Sequence, residues 1–251
     1  MYMRMVHMKV REGKLEHLQR HYSQRVIPAL SKVEGCLYAG LMHSSNHESQ
    51  CISMTLWSTE LDGLTFEGGG LFQVLLSELR PFLSESSESR LQLSEDLTLE
   101  YVSVPEDPVV EHYSVEESTE TPTFNDRVPQ GLWLRIVALK IADGKLDEFK
   151  TIYRSTVLPT LRNLKGCRYV FLTQNAGRKN DVISVTVWDS KQDAEAYEKG
   201  KMFPELLNST KHTLAGLFQW RLQQNREEGP TATSEDPVVE SYDVLAGKSF
   251  A

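Results

Sequence analysis

Cysteine and long apolar runs are both scarce in this chain, and each shortage excludes a class of protein. The 251 residues contain only Cys36, Cys51 and Cys167, too few and too scattered for a disulfide framework or a zinc site. No apolar run approaches the roughly 20 residues that span a bilayer. The N-terminal segment is interrupted by arginine, histidine and lysine, which makes a poor signal peptide. We expect a soluble cytoplasmic protein with reduced thiols.

Positive charge is also in deficit. The chain has 35 acidic and 27 basic residues, a formal net charge of −8. This balance disfavours a nucleic-acid partner, which needs a basic surface. The hydrophobic fraction of 40% is sufficient for packed cores, and 251 residues suit one large domain or two small ones. We expect a globular protein without nucleic-acid or membrane partners.

The chain carries an internal duplication. Residues 4–15 match residues 135–146 at an offset of 131, and the ungapped register extends to Leu83 and Leu214. It gives roughly 25 identities over about 80 aligned positions, which indicates a duplicated unit. After a break the similarity returns at an offset of 129. Because this period is far longer than that of a solenoid repeat, each copy is predicted to be a whole small domain.

The domain limits follow from composition. A polar, proline-containing stretch separates the copies and is typical of a linker. Two further polar stretches, at 84–95 and 225–234, are predicted to be solvated loops. The predicted organisation is a first domain at 1–115, a linker at 116–130 and a second domain at 131–251.

The second copy shows its secondary structure most clearly. Apolar residues at spacings of three and four over 146–161 predict a helix, with Asp143 as its N-cap. Pro159 is expected to kink or end that helix. A second helix is predicted to begin with Asp189 or Ser190 as its N-cap. Strands are predicted at 132–141, 167–173, 182–188, 218–222 and 237–244, and the second helix at 189–199 with a continuation over 202–217.

This order of elements, β-α-β-β-α-β, is the ferredoxin-like motif and predicts an α+β fold. In the strand at 182–188, Ile183, Val185 and Val187 point to one face, while the alternating serine, threonine and tryptophan point to the other. Since the apolar face needs a partner sheet, the two antiparallel sheets are predicted to pack into one intrachain α+β barrel. Such a pseudo-dimer is already closed as a monomer, although a higher oligomer is compatible with it. Any pocket then lies between the helices and the serine/threonine/tryptophan face.

Some of these residues suggest a family. The segment 185–197, followed by Met202 and Phe203, resembles the antibiotic-biosynthesis monooxygenase-like domain of the dimeric α/β-barrel superfamily. The first copy repeats the pattern more loosely at 54–57 and 71–72. The resemblance covers about 110 residues of each copy. It implies the fold more strongly than the chemistry, because the superfamily includes oxygenases, heme-degrading enzymes and proteins of no known activity.

Heme chemistry fits the chain poorly. By the resemblance, the heme-degrading branch would need an asparagine where Val6 and Val137 stand, and a tryptophan where Phe66 and Tyr197 stand. Its histidine ligand would fall on leucines in both copies, so the iron would lack its axial ligand. These leucines are Leu76 and Leu207. We therefore expect no cofactor.

The cofactor-free, quinone-forming oxygenases fit better. By the resemblance, these place a tryptophan at the end of the third strand and an asparagine four residues earlier. The chain keeps the tryptophan and has serine for the asparagine. Such chemistry needs an apolar pocket, removal of a proton and donors for an oxyanion. The candidate catalytic residues are Trp57, Trp188, Ser53 and Ser184, and the candidate pocket residues are Tyr22, Tyr153, Thr55, Thr186, Phe66, Tyr197, Phe72 and Phe203.

Simpler interpretations accompany each candidate. The tryptophans, tyrosines and hydroxyl side chains are typical of ordinary packing. Arg4 and Arg135 recur on the first strand and could steer an anionic substrate, although solvated or salt-bridged edge positions are the favoured interpretation. His17 and His21 have a metal-binding spacing but lack a completing cluster, so no metal site is predicted.

Two functions therefore stay open. The first is a cofactor-independent monooxygenase that acts on a small aromatic or polyketide-like molecule, in a pocket between helices and sheet. The alternative is a non-catalytic small-ligand-binding or stress-type structural barrel. A cavity near the ~300 Å³ of typical ligand pockets would favour a site. The second copy, with its more regular helices, is the expected place for it.

Overall fold

A computed structural model describes residues 1–84, 89–93, 99–103, 108–119, 131–215 and 238–250; within 89–93, 99–103 and at residue 238 only the backbone is described. The first repeat comprises β1 (Tyr2–Lys9), α1 (Leu15–His21), α2 (Ile27–Leu30), β2 (Cys36–Ser44), β3 (Gln50–Trp57), α3 (Glu60–Gly68), α4 (Gly70–Leu79), β4 (Ser89–Leu93), β5 (Leu99–Ser103) and β6 (Val109–Ser118). The second comprises β7 (Trp133–Lys140), α5 (Leu146–Ile152), α6 (Leu158–Arg162), β8 (Cys167–Asn175), β9 (Asp181–Trp188), α7 (Lys191–Lys199), α8 (Met202–Thr210) and β10 (Val238–Ser249).

Eight of these strands close a single antiparallel barrel in the order β1-β3-β2-β10-β7-β9-β8-β6. Each repeat contributes a four-stranded sheet, β6-β1-β3-β2 or β10-β7-β9-β8. The sheets join edge to edge, because β10 pairs with β2 and β6 pairs with β8. The predicted ferredoxin-like repeats and intrachain barrel are confirmed. Closure leaves none of these eight strands with an unpaired edge.

The core has one layer inside the barrel and one outside each sheet. Ile183, Val185 and Val187 point into the barrel, where they share a core cluster with Met54 of β3 and Leu134 of the neighbouring strand β7. Trp188, on the opposite face of β9, packs under the helices of its own repeat. The alternation read in β9 therefore separates the barrel interior from the space under the helices, as expected.

Several local predictions differ from the structure. The first helix of the second repeat begins at Leu146, and its N-cap residue is Lys145 rather than Asp143, whose carboxylate instead accepts a bond from Asn180 (2.5 Å). The helix does not end at Pro159. A π-helical turn at Tyr153–Val157 precedes α6, and this widening accommodates a residue that has no N–H to donate.

Other boundaries are closer to the expectation. Ser190 caps α7, since its hydroxyl accepts a bond from the Asp193 N–H (3.1 Å). The helix continuing from residue 202 is shorter than predicted, because α8 ends at Thr210 and one 3-10 turn follows.

The predicted polar loop at 84–95 contains strand β4, which pairs with β5 in a small separate sheet. The strand predicted at 218–222 and the loop predicted at 225–234 lie outside the described residues. Strand β6 extends into the predicted linker as far as Ser118, and the division into two domains and a linker stays a prediction. No described helix has the length and apolar character needed to cross a membrane.

Candidate functional site

A cavity of the second repeat lies between the sheet and helices α5, α6 and α8. Its free volume is about 40 Å³, room for on the order of one to three water molecules. The equivalent space in the first repeat is about 30 Å³. Both are far smaller than a typical ligand pocket of ~300 Å³. The second cavity is lined by Arg135, Val137, Leu139, Phe149, Tyr153, Val157, Leu161, Ser184, Thr186, Tyr197, Phe203, Leu206, Leu207 and Thr210.

A tyrosine and a serine form a hydrogen-bonded pair at this cavity. The π-helical turn presents Tyr153, whose hydroxyl lies 2.8 Å from the Ser184 hydroxyl of β9. Burial raises the pKa of Tyr153 above its ordinary value, and the bond to Ser184 acts in the opposite direction. Tyr22 and Ser53 repeat the pair in the first repeat, also at 2.8 Å. Each pair is a neutral hydroxyl donor set in an apolar wall.

The two tryptophans stand beside these pairs with their indole N–H groups already in use. Trp188 donates to the Thr186 hydroxyl (2.8 Å), and Trp57 donates to the Thr55 hydroxyl (2.9 Å). Both rings are fully buried, and Trp188 stacks on Tyr197 with 5.2 Å between ring centroids. Neither indole belongs to the described lining of its cavity. Each tryptophan holds a threonine and an aromatic ring in place.

Arg135 is a polar residue of the second cavity whose environment differs from the expectation. The solvated edge position favoured for it is wrong, because the residue is 1% exposed on an interior strand of a closed barrel. Its Nε and Nη2 have no hydrogen-bond partner among the described residues. Glu198 Oε2 forms an ion pair with Nε at 3.7 Å, beyond hydrogen-bond distance, so the salt-bridged alternative holds in this looser form. Its guanidinium carbon lies 4.4 Å from the centre of the Phe203 ring, a cation–π contact.

Arg4 occupies the same place in the first repeat and is held differently. Its Nε donates to Glu67 Oε2 at 2.6 Å, so the salt-bridged alternative holds for this residue, although it too is buried rather than solvated. His112 Nε2 lies 3.4 Å from the same Glu67 oxygen. The Phe72 ring takes the cation–π position at 4.2 Å. Only Nη2 of Arg4 lacks a partner among the described residues.

The structure thus gathers most of the candidate residues, with exceptions. In the second repeat the cavity wall includes five of the six predicted for it, and Trp188 lies outside the lining. In the first repeat Tyr22 and Trp57 lie outside it. The catalytic role of the candidates stays a prediction. Those lining the two cavities are Tyr153, Ser184, Thr186, Tyr197 and Phe203 in one, and Ser53, Thr55, Phe66 and Phe72 in the other.

The burial of Arg135 was not expected from the sequence. The available signal was an arginine at the same position in both copies of a strand whose other residues are largely apolar, since a charge there must be buried with some compensation.

Other candidate chemistry has little support. The described residues contain no group of three or more histidine, cysteine, aspartate or glutamate side chains able to hold a metal ion. His21 instead lies 3.4 Å from Glu78. Burial raises the pKa of Cys36 and of Cys167 to about 12, so both thiols are protonated and poorly reactive at neutral pH.

Comparison with known proteins agrees with this architecture. The family described as antibiotic biosynthesis monooxygenase matches residues 1–74 and 134–209, one segment in each repeat. No curated protein matches the chain in sequence.

Solved structures share the fold at low identity. A Fusobacterium nucleatum protein, provisionally named a monooxygenase, aligns with a TM-score of 0.68 at 10% identity over 99% of this chain and 94% of its own. A Lactobacillus acidophilus protein with the same provisional name aligns with a TM-score of 0.66 at 10% identity, over 100% and 96%. An anthrone oxidase-like protein aligns with a TM-score of 0.57 at 12% identity, over 100% and 93%. At such identities the similarity establishes the fold alone.

Proposed function

The chain belongs to the antibiotic biosynthesis monooxygenase family, and we propose that its second repeat is a cofactor-independent monooxygenase site for a small aromatic or polyketide-like molecule. The observation that carries the proposal is the Tyr153–Ser184 hydroxyl pair, 2.8 Å apart, in a cavity wall that is mainly apolar and aromatic. Paired hydroxyl donors in an apolar surround can stabilise a developing oxyanion. A reaction in which a carbon acid or an acidic phenol combines directly with O2 requires such stabilisation of an oxyanion.

The chemistry assigned to the site needs only the substrate and O2. An activated CH2 group that is acidic enough to ionise gives its proton to water, and its carbanion combines with O2. The peroxide anion takes a proton back from water, and the hydroperoxide then loses water to leave a carbonyl group. The negative charge that develops on the substrate oxygen is stabilised by a hydrogen bond from the Ser184–Tyr153 pair, in which one hydroxyl donates to the other and the remaining O–H donates to the substrate. Trp188 acts as a positioning residue, because its N–H is bonded to Thr186 (2.8 Å).

The proposal requires the cavity to enlarge when it is occupied. Its volume of about 40 Å³ must grow to several times that size. Helix α8 supplies the wall best placed to move, since it follows a break in the helix at Gly200 and covers the cavity with Phe203 and Leu206. Closure over a bound substrate would then exclude water from the reaction.

Oxygen uptake tests the proposal, with anthrone and a panel of hydroquinones as substrates. We expect Ser184→Ala and Tyr153→Phe each to lower kcat by about 100-fold, the usual effect of removing an oxyanion donor. Ser53→Ala and Tyr22→Phe are the matched variants of the first repeat and should retain most of the turnover. Turnover that survives in Ser184→Ala, or that is lost equally in Ser53→Ala, contradicts the assignment.

One observation favours the alternative, a barrel that binds a small molecule without transforming it. Among the described lining residues there is no carboxylate or imidazole to take the substrate proton. A substrate of this site must therefore be acidic enough to ionise on binding. Saturable binding of the same compounds with no oxygen consumption would establish the non-catalytic function instead.

A further inference from the structure

Arg135 lines the second cavity, and one edge of its guanidinium makes no hydrogen bond to the described residues. Nε and Nη2 share one edge of the planar guanidinium, and both lack a hydrogen-bond partner among the described residues. Arg25 shows what this edge does elsewhere in the chain. Its Nε and Nη2 lie 3.1 and 2.8 Å from the two carboxylate oxygens of Glu78. The same two nitrogens of Arg135 have the geometry for one carboxylate.

A buried guanidinium with two free nitrogens is energetically unfavourable without compensation. The cation–π contacts with Phe203 (4.4 Å) and Tyr197 (5.5 Å) supply part of it. They cover the face of the guanidinium and leave its edge unsatisfied. Glu198 is nearby but 37% exposed and too distant to bond. The cavity wall therefore contains a guanidinium edge without a hydrogen-bonded anion, since Glu198 forms only a longer ion pair of 3.7 Å with it.

We propose that the second cavity binds a small aromatic anion, whose oxygens take both Nε and Nη2 of Arg135 while its ring lies among the aromatic and aliphatic wall residues. The proposal rests on the function proposed above and names its substrate class. The first repeat is excluded, because Glu67 already occupies the Nε of Arg4 at 2.6 Å. Of the two arginines, Arg135 alone is therefore proposed to bind such an anion.

Benzoate and benzamide provide the test. They have the same size and shape, so the cost of enlarging the cavity cancels between them and the difference reports the charge. We expect wild-type protein, titrated by chemical-shift changes in its NMR spectrum, to bind benzoate at least about tenfold more tightly than benzamide. Arg135→Met should remove this preference and Arg4→Met should keep it. Equal affinities in the wild type, or a preference that survives in Arg135→Met, overturn the proposal.

A second variant keeps the test valid if Arg135→Met does not fold. Glu198→Gln leaves the arginine in place and removes the carboxylate 3.7 Å from its Nε. Benzoate should bind about two- to threefold more tightly to this variant, with benzamide unchanged. An unchanged or weaker benzoate affinity contradicts the proposal.

The results also separate this inference from the proposed function. Preference for benzoate without oxygen consumption by any substrate contradicts the monooxygenase function alone. Oxygen consumption on substrates that stay neutral, without a benzoate preference, contradicts the anion site alone.

Discussion

The two repeats share most of their site residues, with Phe66 in the place of Tyr197, yet their arginines are held differently. Arg4 faces Glu67 and Arg135 faces Glu198, so the carboxylate is present in both. It bonds Nε at 2.6 Å in the first repeat and stands 3.7 Å away in the second. The two repeats therefore do not differ in the residue types that form the arginine–glutamate pair. A third residue, on the last strand of each repeat, decides the geometry.

That third residue lies directly across the sheet from the arginine. Arg4 is paired with His112 in the β1–β6 register, whereas Arg135 is paired with Ser241 in the β7–β10 register. The histidine ring reaches to 3.4 Å from Glu67 and keeps the carboxylate over the arginine. A serine is too short for that contact. We infer that this cross-strand difference accounts for the hydrogen-bonded arginine in one repeat and the longer ion pair in the other.

The largest expected effect tests whether the repeats are equivalent as packing units. Trp57 and Trp188 are each fully buried and stacked on an aromatic ring. Replacing either with alanine should lower the free energy of unfolding by about 3–5 kcal/mol, measured by urea denaturation. The matched Trp57→Phe and Trp188→Phe variants retain the ring and should lose much less. A loss confined to one repeat would show that the two cores are not equivalent.

Much of this fold could be predicted from the sequence because its information is local. The alternation at Ile183, Val185 and Val187 and the cap at Ser190 each depend on neighbouring residues, and the duplication can be found by comparing the chain with itself. Barrel closure through the pairing of β10 with β2 could be expected only in outline, since the partners are far apart in the chain. The π-helical turn before Pro159 has no clear sequence signature. The proline predicts a disturbance of the helix but not the form that the backbone then takes.

The hydrogen bonding of the two arginines could not be predicted, because it too depends on residues that are far apart in the chain. Nothing within β1 or β7 distinguishes Arg4 from Arg135. The distinction depends on His112, brought across the sheet from β6, and on the length of Ser241. Site geometry here is a property of strand pairing, whereas the residue types that form the pocket were visible in the sequence.

A second difference between the repeats predicts a pH dependence. His7 Nε2 lies 3.0 Å from Glu111, and Tyr113 donates to the same carboxylate at 2.7 Å. Burial raises the pKa of Glu111, but the bond and charge of His7 outweigh it and, with Tyr113, lower the pKa to about 2. Because the folded-state pKa is depressed, the ionised carboxylate stabilises the fold above its ordinary pKa of 4.5. That stability, on the order of 2 kcal/mol, is lost as the pH falls from there towards 2.

Urea denaturation at pH 6, 4.5 and 3 measures this dependence. Glu111→Gln should make the free energy of unfolding less dependent on pH over that interval. His7→Ala reproduces the second repeat, where Ala138 stands at the equivalent position, and should remove a large share of the same dependence. Wild type and Glu111→Gln losing equal stability between pH 6 and 3 would rule out this role for the carboxylate.

The arginine comparison itself can be broken by exchanging the cross-strand residue. Ser241→His copies the first repeat and should bring Glu198 onto Arg135, so the proposed anion site would be filled from within. We expect benzoate affinity to fall by about tenfold, which corresponds to about 1.4 kcal/mol. Ser241→Ala is the control for the loss of the serine and should bind benzoate as wild type does. An unchanged affinity in Ser241→His would mean that the histidine does not position the glutamate.

The smallest expected effect concerns the outer faces of the helices. Leu61 and Val74 on α3 and α4 are 72% and 50% exposed, whereas Gln192 and Glu205 stand at the matched positions of the second repeat. Leu61→Gln and Val74→Glu should each change the free energy of unfolding by less than about 0.5 kcal/mol, because little apolar surface is buried there. A larger destabilisation in urea would show that these side chains are covered in solution. The repeats would then differ in what contacts their helices as well as in how they hold their arginines.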